Sequence, residues 1–388
     1  MEESLSSGVR DLSTTLEMTN HSMSYHAALA HFPKISYNRY QKLAAYFSDL
    51  PAGRQDLKNL WDAEINELIQ AGIDAGIASE FLAWREKNPI EKIMEKLNKE
   101  NISTISLNDP GYPTLLKEIN DPPYVLFFRG KLPNGHSPAL GVVGTRKFTA
   151  YGKFACQEIV GPLVGHGVII VSGLAMGIDG IAHQTAVDNN GITVAVLGGG
   201  VDKKTIAPAS HQQLAEQIIA GGGAVVSEYP PGFAPTQYSF PARNRIIAGL
   251  SLGTLVIEAP ETSGALITAR CALDYNREVF AVPHPLNSPT GLGPNNLIKM
   301  GAKLVTDASD IIEALSLTGL GEIINNKQIL PSTPTEAKIL GFLSKEPLHI
   351  DLIIKTSGLD SPTVNSTLVL MEMKGKVRNL GGMNYIAR

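Results

Sequence analysis

The sequence predicts an α/β protein built on an extended Rossmann-like, doubly wound and mostly parallel sheet. Three observations support this fold class. Short apolar runs rich in β-branched residues alternate with helical patterns over residues 101–315. Runs this short and this apolar are typical of strands that are covered on both faces. Glycines follow several of the runs directly, where a parallel strand turns into a helix and where such sheets bind ligands.

Composition limits the possible functions before any motif is considered. The 388-residue chain is long enough for two or three domains, and its net charge is −4. An acidic chain is not a broadly basic nucleic-acid coat, so attraction to an anionic polymer has to come from a local cluster. The two distant cysteines argue against a disulfide scaffold or a zinc site. We expect no metal and no cofactor. We also expect a cytoplasmic protein without a membrane span, because the sequence has no apolar run long enough to cross a membrane and no signal sequence.

The N-terminal quarter predicts a tail followed by a small helical domain. Residues 1–23 are rich in Ser, Thr and Glu and lack periodicity, which is typical of a mobile tail. The domain is expected over residues 24–100. Its helical patterns cover Tyr25–Phe32, Tyr37–Phe47, Asp62–Ala71 and one long helix, Ile77–Asn98.

The central domain is expected over residues 101–315. Its predicted strands are Tyr124–Phe128, Ala139–Val143, Val168–Val171, Thr193–Leu197, Ala224–Val226, Thr254–Ile257 and Glu278–Val282. Its predicted helices are Ala150–Val164, Ile178–Asn189, His211–Ala220, Arg243–Leu250 and Ala265–Tyr275.

The C-terminal segment predicts a winged-helix domain. Residues 316–334 form a linker, and residues 335–388 read as three helices followed by a β-hairpin. In the third helix, Val364, Leu368 and Met371 fall on one face at helical spacing, which predicts its core side.

Four glycine-bearing turns at the strand ends predict a phosphate-binding rim. The first contains Gly144, Thr145, Arg146 and Lys147, in which glycine allows close backbone approach and arginine supplies a fork of donors. The others are Gly173–Asp179, which includes Gly177, then Gly198–Gly200, and Glu258–Ala265, which includes Ser263 and Gly264. None of them is a P-loop, so ATP hydrolysis is not expected.

Phe240, Arg243, Asn244 and Arg245 lie together in the most informative short segment. An aromatic residue beside arginines suits single-stranded nucleic acid, through base stacking and neutralisation of the backbone. A capped amphipathic helix with surface arginines explains the segment equally well. If Arg146 and Lys147 act with the two arginines, about three or four phosphates would be neutralised.

Asp179 and His183 lie four residues apart on one predicted helix face. They could form a general-base pair or half of a metal site. We favour a structural pair that holds the Gly173–Gly177 turn.

The motifs occur in the order found in the DprA/Smf family (DNA-processing protein A), which this chain resembles over about residues 105–308. The quoted motifs are VVGTRKFTAYG, VSGLAMGIDGIAH, VLGGGVD, VVSEYPPG, FPARNRIIAGLS, EAPETSGALITARCALDYNREVFAVP and LIKMGAKLV. The resemblance implies a cytoplasmic protein of natural transformation that binds and protects incoming single-stranded DNA and loads RecA. No enzymatic activity is implied.

The same resemblance implies site residues and a homodimer. The Gly-Ser/Thr-Arg motif would be Gly144, Thr145 and Arg146, and the single-strand groove would include Phe240, Arg243, Asn244 and Arg245. Dimer contacts would fall near Leu297, Ile298 and Met300. The flanking domains resemble the family's SAM-like and winged-helix domains. His284 stands where relatives usually have glycine.

Two other functions use the same kind of fold. A nucleoside-monophosphate phosphoribohydrolase would carry a Pro-Gly-Gly-x-Gly-Thr-x-x-Glu turn, which the corresponding segment Glu258–Gly264 lacks. A nucleotide-sensing regulator with a winged-helix output has no support beyond the fold.

Overall fold

The N-terminal part of the chain is helical, as its periodicity predicts. The structure, a computed structural model, describes residues 24–49, 57–133, 137–317, 333–344, 347–373, 376–379 and 381–387. The first helices are α1 (residues 24–30), α2 (Tyr37–Ser48), α3 (Leu57–Asp62), α4 (Ile65–Gln70), α5 (Ala75–Lys87) and α6 (Ile90–Lys99). The predicted tail over residues 1–23 lies outside the described residues, as do residues 318–332 of the linker predicted over 316–334.

The single helix predicted over Ile77–Asn98 is wrong, because the structure has two helices there. Proline lacks an amide hydrogen and disfavours a helical conformation in the residue before it. α5 therefore ends at Lys87, and Pro89 becomes the N-terminal cap of α6.

A nine-stranded sheet follows, and the predicted mostly parallel sheet is confirmed. Its strands are β1 (Ser103–Ser106), β2 (Val125–Gly130), β3 (Ala139–Val143), β4 (Ile169–Ser172), β5 (Thr193–Val196), β6 (Ala224–Ser227), β7 (Gly253–Val256), β8 (Glu278–Ala281) and β9 (Lys303–Leu304). They lie in the order β1-β2-β6-β5-β4-β3-β7-β8-β9. The pairs β1–β2 and β2–β6 are antiparallel, and the others are parallel. The short strands β1 and β9 are not among those predicted from the sequence.

Helices cover both faces of this sheet. They are α7 (Thr114–Lys117), α8 (Ala150–Gly165), α9 (Ile178–Asp188), α10 (Gln212–Ala220), α11 (Ser239–Gly249), α12 (Ala265–Asp274), α13 (Leu292–Lys299) and α14 (Ala308–Ala314). On one face, α8, α9 and α14 pack on side chains such as Val142 and Ile170. On the other, α11 and α12 pack on alternate residues such as Val143 and Val171. Burial of both faces explains why the strands read as continuous apolar runs.

The N-terminal helices share a core with one end of the sheet. Tyr40 of α2 stacks on Tyr124, with ring centroids 4.4 Å apart. Phe127 of β2 lies in the same buried cluster as Leu43 of α2 and Leu97 of α6. The described residues up to 317 accordingly form one compact unit.

The second compact unit covers residues 322–388 and is described from residue 333 on, and its winged-helix fold is confirmed. Its elements are α15 (Pro334–Leu340), β10 (Leu348–His349), α16 (Ile350–Ser357), α17 (Ser361–Met373), β11 (Val377–Asn379) and β12 (Asn384–Ala387). The strands pair antiparallel in the order β10-β12-β11. Val364, Leu368 and Met371 are fully buried, as their spacing predicts.

Candidate nucleic-acid interface

The strand order reverses at β3, and this reversal positions the site. From β3 the chain adds β4, β5 and β6 on one side and then β7, β8 and β9 on the other. In open α/β sheets the helices diverge at such a point and leave a crevice beyond the carboxyl ends of the strands. A cleft of about 640 Å³ opens there. This strand-end cleft is lined by Gly144, Thr145, Arg146, Asp179, Phe240, Arg243, Asn244, Ser263 and Gly264, among others.

Most of the predicted site residues therefore meet in one cleft, but four of them do not line it. Lys147 is exposed beside the cleft. Gly173 is buried against the Arg243 side chain. Gly177 faces away from the cleft and lines a separate depression among α8, α9 and α10. Arg245 lines a different depression, next to Asp121 and Glu228.

Arg146 presents a charged group to the cleft beside an aromatic ring. Its guanidinium carbon lies 5.6 Å from the centroid of the Phe240 ring. Arg146 is exposed and has no ion-pair partner within the described part of the chain. A free guanidinium above a half-buried aromatic ring can bind a phosphate while the ring offers a face to a base.

Hydrogen bonds of Thr145 and packing of Gly177 fix the turn that carries Arg146. Thr145 is buried; its amide donates to the Glu258 carbonyl oxygen over 2.6 Å, and its hydroxyl accepts from the Lys147 amide over 3.1 Å. Gly177 packs against the same turn with φ of +87°, and a Cβ at this glycine would collide with the Thr145 carbonyl oxygen. The turns after β3 and β4 thus form one packed body.

Arg243 points away from solvent into the strand ends. It is 4% exposed, and its Nη1 donates to the carbonyl oxygens of Gly173, over 2.6 Å, and Val196. Burial lowers the pKa of its guanidinium to about 10, which still leaves it charged at neutral pH. Its Nη1 and Nε donors are engaged within the protein, so we assign Arg243 to support of the cleft and not to phosphate contact.

Asp179 is the buried acid beside this arginine. Burial raises the pKa of Asp179, while the charge of Arg243 and hydrogen bonds from backbone amides oppose that shift. One carboxylate oxygen accepts from the Gly173 amide over 3.2 Å. His183 is also buried, but its Nδ1 bonds to the Thr193 hydroxyl at 2.7 Å. Asp179 therefore contacts the Gly173–Gly177 turn as we expect of the pair, whereas the Nδ1 of His183 bonds to Thr193 of β5 and not to Asp179.

Arg245 is engaged by acids that are remote in sequence. Its guanidinium makes a bidentate pair with Glu228, at 2.7 and 3.2 Å, and donates to Asp121 over 2.9 Å. Asp121 also accepts from the Tyr275 hydroxyl. A guanidinium in this network has little capacity left for a phosphate.

Asn244 and the last glycine turn close the far side of the cleft. The Asn244 amide donates to the Gly264 carbonyl oxygen over 3.1 Å, which links α11 to the start of α12. The Ser263 hydroxyl accepts from the Ala265 amide. A Cβ at Gly264 would meet nothing within 4 Å, so the backbone at this wall is open to a ligand.

Comparison with known proteins agrees with the motif order and the fold. The family model described as DNA recombination-mediator protein A matches residues 103–316, and that of the DprA winged helix domain matches residues 326–383. This chain belongs to the DNA recombination-mediator protein A family. The resemblance to the DprA/Smf family drawn from the motifs is therefore confirmed.

Relatives of the DprA family match most of the chain. Protein Smf of Escherichia coli is 40% identical over 321 residues, which are 81% of this chain and 85% of that protein. DNA processing protein DprA of Bacillus subtilis is 43% identical, over 59% of this chain and 79% of that protein. The solved structure of DprA from Streptococcus pneumoniae superimposes with a TM-score of 0.62 at 32% identity, covering 75% of this chain and 97% of that one.

Glu258 is a feature of this DprA-family chain that the sequence reasoning missed. Its carboxylate is fully buried at the end of β7. It accepts hydrogen bonds from the Thr149 amide and hydroxyl and from the Thr290 hydroxyl, at 2.7–2.9 Å. An acidic residue directly after the apolar run Thr254–Ile257 was the available signal, because a buried carboxylate needs such donors.

The residues expected in a DprA dimer differ in their exposure. Met300 is 78% exposed at the end of α13 and is available to a partner. Ile298 is half-buried, and Leu297 packs on the buried cluster beneath α12. Leu304 of β9 adds an exposed apolar side chain near the same edge.

Within the described residues, no three His, Cys, Asp or Glu side chains are grouped as a metal ion would require. In the same part of the chain, no helix is both long and apolar enough to cross a bilayer.

Proposed function

We propose that the protein is a recombination mediator that binds single-stranded DNA in the strand-end cleft. The observation that carries this proposal is the unpaired Arg146 guanidinium over the Phe240 ring, at the reversal of strand order. Base stacking on Phe240 and a phosphate on Arg146 would hold a single strand without reading its sequence. Asn244, Ser263 and the open backbone at Gly264 offer further polar contacts.

Few phosphates are neutralised in this proposal. Arg243 and Arg245 are engaged within the protein, so Arg146 and Lys147 remain as the cations at the cleft. Two neutralised phosphates give a log–log salt slope of about −1.4 per protomer for single strands. The three or four phosphates expected from the sequence would give about −2 to −3 instead.

The substitution Arg146→Ala tests the proposal. We expect a large loss of affinity for a labelled oligothymidylate, measured by fluorescence anisotropy, with an unchanged melting curve. Arg270→Ala is a matched control, because Arg270 is also an exposed arginine but lies outside the cleft. Equal affinities of the parent and the Arg146→Ala variant would refute the proposal.

From the family resemblance we also propose that the bound strand is protected and passed to RecA in the cytoplasm during natural transformation. Held in the cleft, the strand would leave most of its bases free for RecA. The test is the rate of RecA nucleation on single-stranded DNA. The parent should accelerate it and Arg146→Ala should not; an acceleration that survives this substitution would contradict delivery from the cleft.

A homodimer through the edge that carries α13 and β9 is proposed on the same basis. The exposed Met300 and Leu304 support it, because apolar side chains this exposed on neighbouring elements suit an interface. Met300→Asp should shift a dimer to monomer in sedimentation velocity, whereas Leu273→Ala, at an exposed position on α12, should not. A parent protein that is monomeric at micromolar concentration would exclude the dimer.

The phosphoribohydrolase alternative gains no support from the site. Glu258 is the acid of the corresponding turn, and its carboxylate is buried and bonded to Thr149 and Thr290 rather than directed into the cleft.

A further inference from the structure

A second groove lies on the other side of the turns that bound the strand-end cleft. It has a volume of about 600 Å³ and lies among α8, α9 and α10. We call it the amide groove, because four glutamines from these three helices line it: Gln157, Gln184, Gln213 and Gln217. Nothing in the function proposed above uses it.

The two depressions are neighbours along the chain as well as in space. Ala175 lines the strand-end cleft, and the next residue, Met176, lines the amide groove. Arg146 lines the cleft, and Phe148 lines the groove. The two turns that carry these residues are packed together, as shown by the contact of Gly177 with Thr145. Residues 145–148 and 175–177 thus form one ridge between cleft and groove.

The groove side of this ridge exposes apolar surface. Phe148 is 44% exposed and Met176 is 49% exposed. An exposed phenylalanine ring offers a stacking surface to a base. Phe148 thus supplies an exposed ring on the groove side, and Lys147, its neighbour in the sequence, is exposed as well.

Charge and polarity in the groove favour a nucleic acid. Lys147 on the ridge and Lys153 on the groove wall are exposed, and neither has an ion-pair partner in the described part of the chain. Asp188, the acid of the groove, lies about three turns along α9 from the ridge and accepts from Gln184 over 2.8 Å. Glutamine amides donate and accept hydrogen bonds, so they can bind the edges of different bases.

We propose that a single strand bound in the strand-end cleft continues over the ridge into the amide groove, with one base stacked on Phe148. This extension rests on the proposed single-strand binding. Continuity of the two depressions across the ridge is its main support. It predicts that affinity depends on oligonucleotide length through Phe148.

The test is the affinity of the full chain for oligothymidylates of about 4 to 16 nucleotides, a range typical of single-strand sites. For Phe148→Ala we expect parent-like binding of the shortest oligonucleotides, which fill only the cleft. For the longest we expect a loss of about 5- to 150-fold, the range given by one stacked base. Phe148→Trp should restore the length dependence. Leu273→Ala, an exposed apolar side chain outside both depressions, should change nothing.

The outcomes separate this inference from the proposed function. Unchanged affinity of Phe148→Ala at every length would overturn it, and would be the result if the groove takes a peptide instead. An equal loss at every length would also overturn it, because Phe148 would then act only through the cleft. A parent that binds no oligonucleotide would refute the proposed function and this inference together. Loss at every length for Arg146→Ala, with loss only at long lengths for Phe148→Ala, supports both.

Discussion

At the scale of single residues, neighbouring arginines have different environments. Arg243 and Arg245 are two positions apart on α11, so their side chains leave the helix in nearly opposite directions. Arg243 enters the strand ends, and Arg245 reaches Asp121 and Glu228. The short segment suggested phosphate contacts for both, because the acids and carbonyl groups that engage them lie far away in the sequence.

Arg243→Met should reduce stability instead of flattening the salt slope. The substitution removes the donor to the Gly173 and Val196 carbonyl oxygens and leaves Asp179 without the neighbouring charge. Uncompensated buried polar groups of this kind cost on the order of 3 kcal/mol of unfolding free energy. Urea denaturation measures this loss, and anisotropy at several salt concentrations measures the slope. A stable variant with a flatter slope would show that Arg243 contacts phosphate after all.

At the scale of elements, the two turns of the ridge depend on each other. The sequence identified each glycine turn and its position after a strand. It could not show that Gly177 rests on the turn that carries Arg146, because the contact joins segments about 30 residues apart. The turn that contains Gly177 thus helps to place Arg146, the residue that we propose to bind phosphate.

Gly177→Ala should weaken DNA binding without removing any group that touches DNA. The alanine would have to adopt φ near +87° and would press on the Thr145 carbonyl oxygen, so the turn with Arg146 has to move. We expect a lower melting temperature and a loss of oligothymidylate affinity. The matched control is Gly165→Ala in α8, where a Cβ meets nothing within 4 Å and alanine favours the helix. Parent-like binding by Gly177→Ala would contradict the coupling of the two turns.

The stability of the protein should depend on pH, because His183 is buried where α9 packs on β5. Burial lowers the pKa of His183 to about 3, below the value of 6.5 for an unfolded chain. Below pH 6.5 the unfolded state therefore binds a proton at His183 that the folded state does not bind. The free energy of unfolding falls as the pH drops below 6.5. The contribution reaches about 1.4 kcal/mol for each pH unit, so about 2.5 kcal/mol is lost by pH 4.5.

Thermal unfolding between pH 7 and pH 4.5 checks this expectation. Replacing His183 with Gln should make the melting temperature less dependent on pH over that range. Parallel curves for the parent and His183→Gln would show that the histidine is protonated in the folded state.

Helix boundaries mark the limit of prediction from local pattern. The Arg243–Leu250 helix expected from the sequence begins earlier, at Ser239. Reciprocal amide–hydroxyl bonds of 2.8 and 3.1 Å between Thr236 and Ser239 close the turn that leads into it, and that Thr-x-x-Ser signal was present in the sequence. The earlier start puts Phe240 in the first turn of α11, where it packs beside Gly198 and faces Arg146. The sequence could place the ring near the cleft but not over the guanidinium.

At the scale of the whole molecule, the second unit is poorly suited to bind DNA through its third helix. The sequence of α17 contains no lysine or arginine. Its exposed residues include Asn365 and Ser366 and, further along, the apolar Val369 and Leu370. A recognition helix without cations lacks the electrostatic term that dominates affinity for duplex DNA.

Single-strand binding should therefore persist when the chain ends at residue 321. The first unit contains the whole strand-end cleft and the whole amide groove. We expect an affinity for oligothymidylate within about twofold of the full chain, a change of less than 1 kcal/mol. The isolated segment 322–388 should bind neither single-stranded nor duplex DNA in the same assay. A tenfold loss on truncation would assign part of the binding surface to the second unit.

The pairing of β3 with β7 determines when the strand-end cleft can form during synthesis of the chain. The two strands that flank the cleft pair at Val143 and Val256, about 110 residues apart in sequence. A contact that closes so long a loop forms slowly and cannot form before the later strand has been synthesised. A ribosome-bound chain that has completed β3, β4 and β5 already carries Arg146 but has neither Phe240 nor the opposite wall. The proposed binding of a DNA strand in this cleft would therefore become possible only late in synthesis, after most of the first unit has emerged.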